Sequence, residues 1–293
     1  MNGPIPTRLL VHALVREDGV VDAGELYDVA GLLGMTDQQV RLCLKRLVAE
    51  GRFAHEGRGR KAVLTALADP GHPTGALAPD ADHVRYAYRQ DDGLEPWSGT
   101  WHLFGFAVPE SRRAARDGLR ETLVHLGAAP LPGGMYVAAN AIGDLVEARA
   151  RHLGVEGALS VLSTRDLRVG TTDEPRRLAA LLWPLDEIAA RHRELAALAR
   201  AGADRVAGGE VVTAAERTRL AVELAAEFGR ALTPDPLLPP ELLPQPWPGA
   251  EARRLARECW AALRALPPAP GESGSPLRLF RLYSDSDERP NVR

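Results

Sequence analysis

Between residues 36 and 61 the chain carries five arginines and two lysines against three acidic residues. Cations in that density can meet phosphates, and their neighbours include side chains able to read a base edge. Gln38, Leu42 and Lys45 fall on one side of a helical projection, flanked by Gln39, Arg41 and Arg46. A glutamine can bond a base edge, a leucine can meet a thymine methyl, and Arg41 and Lys45 suit phosphates or guanine. Arg58, Arg60 and Lys61 follow around two glycines. A second group lies further on. Trp97 and Trp101 bracket Gly99 and could stack an aromatic or adenine-bearing ligand, or else wedge a linker against a sheet. Arg112, Arg113, Arg116 and Arg120 form a stripe that could hold phosphates, or else a solvated helix face.

The first group needs a helix and a hairpin to hold it. Residues 7–15 read as a short helix, and Asp22 can cap a second one through Leu26, Val29, Ala30 and Leu33. Thr36 and Gln39 fit a capping box that opens a third helix, which Gly51 ends. Val40, Cys43, Leu44, Leu47 and Val48 gather on its core side. Two β-prone runs around the Gly/Arg tip then read as a hairpin, so residues 1–68 have the layout of a winged helix. Winged helices bind DNA, and they also serve as protein-interaction modules.

Residues 69–96 are rich in Pro, Gly and Asp and read as a linker with some structure around Val84–Tyr88. Over 97–170 the pattern is βαββαβ: a strand at 103–108, a helix at 110–126, strands at 128–131 and 135–139, a helix at 144–153 and a strand at 159–163. That order predicts a ferredoxin-like domain. Residues 171–266 read as helical, with helices over 174–201, 211–232 and 251–266, a break at 202–210 and a proline-rich corner from Asp235 to Gly249. The first of these draws its core face from Leu178, Leu181, Leu182, Leu185 and Ile188. Residues 267–293 read as a mobile tail in which 277–283 could add a short ordered piece. The expected fold class is α+β and multidomain.

With 293 residues, 45% of them apolar, the chain is long enough for two or three domains and too apolar for a disordered one. Two cysteines exclude a disulfide framework and point to a reducing cytoplasm. The net charge of −3 excludes a basic nucleic-acid coat, so the positive excess is local. No Walker loop, His-Glu-x-x-His, Cys-x-x-Cys, Gly-x-Gly-x-x-Gly or Gly-x-Ser-x-Gly occurs, and the eight histidines lack metal-ligand spacing. The sequence makes no positive case for an enzyme, a cofactor or a metal.

Several motifs recur in one known family. They are Val40-Arg41, Arg46-Leu47 and the 59–65 wing strand, then Trp97-x-Gly-x-Trp101, Val108-Pro-Glu110, Leu126-Gly127 and Gly134-Met-Tyr-Val137. The most specific are Asp235-Pro-Leu-Leu-Pro239, Leu242-Leu-Pro244 and Trp247-Pro-Gly249. Over roughly residues 7–265 the chain resembles the phenylacetic-acid-degradation repressors of the PaaX type. The resemblance implies a homodimeric transcriptional repressor of double-stranded operator DNA, with a middle domain similar to small CRISPR-associated nucleases and a helical C-terminal domain. It also implies release from DNA by an acyl- or aryl-coenzyme A effector, for which Trp97, Trp101, Arg112, Arg113 and Arg116 are the candidate contacts. A nuclease working through the middle domain is the competing reading, as is a protein-binding adaptor. Residues 103–108 offer no acidic side chain to hold a metal.

Overall fold

The computed structural model describes residues 5–67, 81–210, 213–267 and 277–279. Among them it holds ten α-helices and two antiparallel sheets, a mixed α+β architecture. No helix there is long and apolar enough to cross a membrane. The chain divides into two compact units. One comprises Met1–Arg85, Arg193–Arg230 and Glu251–Arg293, the other Tyr86–His192 and Ala231–Ala250.

The first unit opens with α1 (Thr7–Ala13), β1 (Val20–Asp22), α2 (Ala23–Leu32), α3 (Asp37–Ala49), β2 (Phe53–Glu56) and β3 (Val63–Ala66). Its sheet runs β1-β3-β2, with Val21 opposite Leu64 and Phe53 opposite Ala66. Strand β1 was not foreseen, since three residues are too few to show a period of two. Asp22 accepts the Glu25 amide at 2.8 Å and so starts α2. The capping box of α3 forms: Gln39 N–H donates to Thr36 Oγ1, and Gln39 Oε1 accepts from the Thr36 amide at 2.7 Å. At the other end Gly51 has φ +70°, Arg52 N–H donates to Leu47 O and Gly51 N–H to Val48 O, a Schellman motif. Leu10, Leu14, Leu26, Val29, Val40, Leu47 and Leu64 fill the core.

The linker segment carries α4 (Ala81–Asp91), a full helix where the sequence suggested only a little structure; 69–80 lie outside the described residues. The expected helix over 174–201 is two helices, α7 (Pro175–Leu182) and α8 (Leu185–Ala207). Pro184 has no N–H for the ladder, and the break at Trp183 resets the helical phase. Leu181 is consequently 58% exposed instead of sharing the core with Leu185. Of the break expected at 202–210, residues 202–207 are instead the last turns of α8, and the helix ends before 208–210. Gly202 sits inside the helix because a Cβ there would stand 2.9 Å from Cys259 Sγ and 3.2 Å from Leu220 Cδ1. It is the point where α8 meets α9 (Ala214–Leu232) and α10 (Pro248–Ala265). Of the tail, 277–279 are described, and Leu277 pairs with Arg16.

In the second unit the order is β4 (Trp101–Phe106), α5 (Arg113–His125), β5 (Ala129–Leu131), β6 (Met135–Ala138), α6 (Gly143–His152) and β7 (Leu159–Thr164). The sheet runs β5-β6-β4-β7 with every pair antiparallel. Alternation along β4 and β6 sends side chains to opposite faces. Phe104, Tyr136 and Ala138 pack with Leu119, Leu123 and Val146 of α5 and α6. Trp101 and Val137 pack on the other face with Leu178, Trp183, Ile188, Leu238 and Leu242.

The proline-rich corner in this unit is held by polar groups. His192 Nε2 lies 2.7 Å from Asp235 Oδ2, both residues being buried. Asp235 Oδ1 accepts the Leu237 amide at 2.8 Å. Leu237 has φ +49°, a left-handed conformation unfavourable to a branched side chain. Its carbonyl accepts from Gln90 Nε2 at 2.7 Å and Asn140 Nδ2 at 2.9 Å. Such over-determination is what keeps a strained residue in place.

Candidate nucleic-acid interface

Helix α3 buries Val40, Leu44 and Leu47 and leaves Gln38, Gln39, Arg41, Leu42, Lys45 and Arg46 exposed. Leu42 is 46% exposed in the middle of this polar face. Val48, expected in the core, is 37% exposed, because its projection angle lies at the edge of the buried stripe. The box at its N-terminus already engages Gln39, whose carbonyl is occupied by the Thr36 amide and hydroxyl. Gln38 has no such duty.

The hairpin connection is short. After β2, Gly57 (φ +84°) and Gly59 (φ +61°) turn the chain, and Gly59–Lys61 forms a single 3-10 turn before β3. This turn lies back on α2: a Cβ at Gly24 would stand 3.2 Å from the Arg60 carbonyl oxygen, and the Ala23 amide donates to Ala62 O at 3.1 Å. Arg58, Arg60 and Lys61 are all exposed. Arg60 turns inward to pair with Asp28, its guanidinium 5.6 Å from the Tyr27 ring centroid.

The charged groups of this segment fall into two sets. Arg8 pairs with Glu50 at 2.8 Å, Arg16 with Glu25 at 2.6 Å, and Arg60 with Asp28. Among the described residues Arg41, Lys45, Arg46, Arg58 and Lys61 make no ion pair, and all five stand on α3 or the hairpin connection. Two of them, Arg41 and Lys45, line an open groove of about 390 Å³ together with Leu44 and Val48 of α3, Tyr27 of α2, and His55 and Gly59 of the hairpin.

The residues expected to hold an effector are engaged within the chain. Trp101 is 1% exposed; Trp97 meets it edge-on at 5.3 Å and Trp183 stacks on it at 6.3 Å. A ligand could reach that ring only by displacing another tryptophan. Arg112 donates to Gly154 O at 2.6 Å and Leu153 O at 2.8 Å, capping the C-terminal end of α6. Arg116 pairs with Glu110 at 2.7 Å, and Arg113 lies 3.5 Å from Asp117. Arg112, Arg113 and Arg116 are therefore engaged within the chain, as one helix cap and two ion-paired side chains, while Arg120 stands exposed. Among the described residues no cluster of three His, Cys, Asp or Glu could hold a metal.

Sequence reading gave no role to His192 or to the Arg16–Glu25 pair. Glu25 also accepts from Thr218 Oγ1 of α9 at 3.1 Å, across 193 positions of sequence. No local spacing signals such a contact.

Comparison with known proteins bears on identity. A search of curated proteins finds no match. Among solved structures, the uncharacterized protein Rv0674 from Mycobacterium tuberculosis aligns over 89% of this chain and 97% of its own, at 20% identity and a TM-score of 0.49. Residues 94–179 match the PaaX protein central Cas2-like domain, and residues 183–268 match the PaaX-like protein C-terminal domain. Those two stretches, adjacent and in order, span more than half of the sequence, and the chain belongs to the PaaX-type family.

Proposed function

We propose that the protein is a homodimeric, DNA-binding transcriptional regulator, acting as a repressor that an acyl- or aryl-coenzyme A effector releases. Residues 1–68 serve as a winged helix, 97–170 as a ferredoxin-like domain and 171–266 as a helical domain. Helix α3 enters the major groove, with Gln38 and Leu42 at base edges and Arg41, Lys45 and Arg46 at phosphates. Arg58 and Lys61 grip the flanking backbone.

The observation that carries this reading is the distribution of unpaired cations. A solvated surface tends to pair its arginines locally, as α5 does with Glu110 and Asp117. On α3 and the hairpin connection Arg41, Lys45, Arg46, Arg58 and Lys61 stand without acidic partners among the described residues, Arg60 alone being paired, and Arg41 and Lys45 border a groove with an exposed leucine nearby. Few phosphates are contacted per chain, so two half-sites are needed for tight binding.

Fluorescence anisotropy with DNA from the protein's own upstream region, against random duplex at physiological salt, tests the proposal. Preference of at least a hundredfold is expected. Equal affinity for both duplexes overturns specific regulation, and binding without salt dependence points to a protein partner instead.

A further inference from the structure

The chain returns to its N-terminal segment at residues 277–279, which share one compact unit with α1, α2, α3 and the hairpin. Leu277 pairs with Arg16 in an antiparallel bridge, and the Arg278 amide donates to Val15 O at 3.0 Å. Leu277 and Leu279 are both buried. This clip fixes the point from which the rest of the sequence departs.

After the clip the sequence runs Phe280-Arg-Leu-Tyr283 and then Ser284-Asp-Ser-Asp-Glu288. Phe280, Leu282 and Tyr283 bring apolar surface first. Asp285, Asp287 and Glu288 follow with no cation among them. An extended chain spans about 3.3 Å per residue, which lets Tyr283 lie up to about 13 Å and Glu288 up to about 30 Å from Leu279. A domain the size of residues 5–67 has a radius of gyration of about 11 Å, so about 30 Å is roughly its full width. The acidic run therefore has the length to reach α3 and the hairpin.

The groove between α3 and the hairpin offers the complementary surface. Tyr27, Leu44 and Val48 give it an apolar wall, Arg41 and Lys45 give it positive charge, and no acidic side chain lines it. Lys61 stands exposed on the hairpin turn that begins at Gly59, itself part of the lining. The same face already seats one carboxylate, since Asp28 holds Arg60 there. Apolar contact and opposite charge thus match between the groove and the segment that the clip delivers to this unit.

We propose that residues 280–288 of the same chain dock in this groove as a built-in competitor of DNA. The Tyr283 ring lies on Tyr27, Leu44 and Val48, and the carboxylates of Asp285, Asp287 and Glu288 meet Arg41, Lys45 and Lys61. The docking stands on the clip, the groove and the charges; its consequence for DNA rests on the DNA-binding reading above. A tethered segment acts at an effective concentration in the millimolar range, so weak contacts suffice to fill the groove. Because DNA must displace the segment, operator and random duplex lose affinity by the same factor. The ion pairs are exposed, so salt releases them.

Disulfide trapping in the full chain reads the docking without DNA. A chain carrying His55→Cys in the groove and Ser286→Cys in the segment is oxidised with glutathione disulfide, and peptide mapping locates the bond. An intramolecular bond between these positions is expected, forming at least fivefold faster at about 50 mM than at about 500 mM salt. Asp285→Asn, Asp287→Asn and Glu288→Gln together should slow it as much as salt does. Deleting residues 280–293 should tighten binding to operator and random duplex alike, at least threefold at about 50 mM salt and by less than about 1.5-fold at about 500 mM. Tyr283→Ala leaves every charge in place and should still tighten binding at least twofold at the lower salt, which a change of net charge alone would not explain. No bond, or one formed equally fast in the charge-neutral chain, overturns the docking. A bond joining two chains, read as a doubled mass, overturns docking within one chain. Rapid trapping with duplex affinity unchanged by the deletion overturns the competition. Trapping in a chain that binds no duplex would sink the DNA-binding reading and leave the docked segment intact.

Discussion

Asp28 holds Arg60 back against α2, so one of the three cations around the hairpin turn is already neutralised by the protein. Arg58 and Lys61, on either side of it, are not. If the turn grips a phosphate backbone, the three should contribute unequally. Each phosphate contact steepens the dependence of log K on log salt by about 0.9. Arg58→Ala and Lys61→Ala should each flatten that slope by about 1, and Arg60→Ala by less than half as much. Asp28→Asn should release Arg60 and steepen the slope. Equal slopes for all three alanine variants would show that the pair with Asp28 opens on the duplex.

Gln38 and Gln39 are neighbours with different work. Gln39 closes the capping box with Thr36, whereas Gln38 stands exposed one position earlier. Gln39→Ala should lower unfolding stability by about 1 kcal/mol, the net value of one side-chain-to-backbone hydrogen bond. It should leave the ranking of operator variants unchanged. Gln38→Ala should do the reverse, with a melting temperature within about 1 °C of wild type and weaker discrimination at one base pair, by about 1–3 kcal/mol. Parallel thermal melts and binding to a panel of single-base operator variants separate the two.

What the sequence disclosed and what it withheld divide by distance along the chain. The Asp22 and Thr36 caps and the Gly51 terminator are set within a few residues, and each forms as expected. The strand expected at 103–108 forms two residues earlier, at Trp101–Phe106. Pro184 was legible too, but apolar spacing on both sides of it suggested one continuous helix and misplaced Leu181. Gly202 looked like a helix end because glycine usually marks one; its actual cause is the Cys259 sulfur on another helix. Arg112 looked like part of an anion site because its carbonyl partners lie 41 and 42 positions away. Pairing of Asp235 with His192, or of Glu25 with Thr218, leaves no periodic trace at all.

His12 on α1 should make the N-terminal segment sensitive to acid. Its ring packs 5.5 Å from Phe53, and its Nε2 is buried without a hydrogen-bond partner among the described residues. Burial first, and then the nearby charges of Arg8 and Arg52, push its pKa below the ordinary 6.5. The unfolded chain therefore takes up the proton more readily than the folded one. Stability should be level above pH 6.5 and should fall as the pH drops through 6.5 toward the lowered value. His12→Gln removes the titrating group and should flatten this limb. Thermal melts at pH 7.5 and 5.5 check it, with a smaller loss expected for the variant. Identical losses in both chains would place the acid sensitivity elsewhere.

Gly127 and Gly133 offer a controlled pair for the proline-rich corner. Both have left-handed backbones, with φ of +85° and +84°. A Cβ at Gly133 would meet nothing within 4 Å, whereas one at Gly127 would lie 2.8 Å from the Pro236 carbonyl oxygen and 2.9 Å from its Cα. Gly127 O also accepts the Trp183 indole N–H at 3.0 Å, so the turn has little freedom to retreat. Gly133→Ala should cost only the left-handed backbone penalty, about 1–2 kcal/mol. Gly127→Ala adds a collision with backbone that Asp235, Asn140 and Gln90 hold in place, and its cost should exceed that of Gly133→Ala by about 1–3 kcal/mol. The difference in unfolding stability between the two variants isolates the close approach from the backbone strain they share. Equal losses would mean that the corner gives way to the added methyl, and that Leu237 is not clamped as its hydrogen bonds imply.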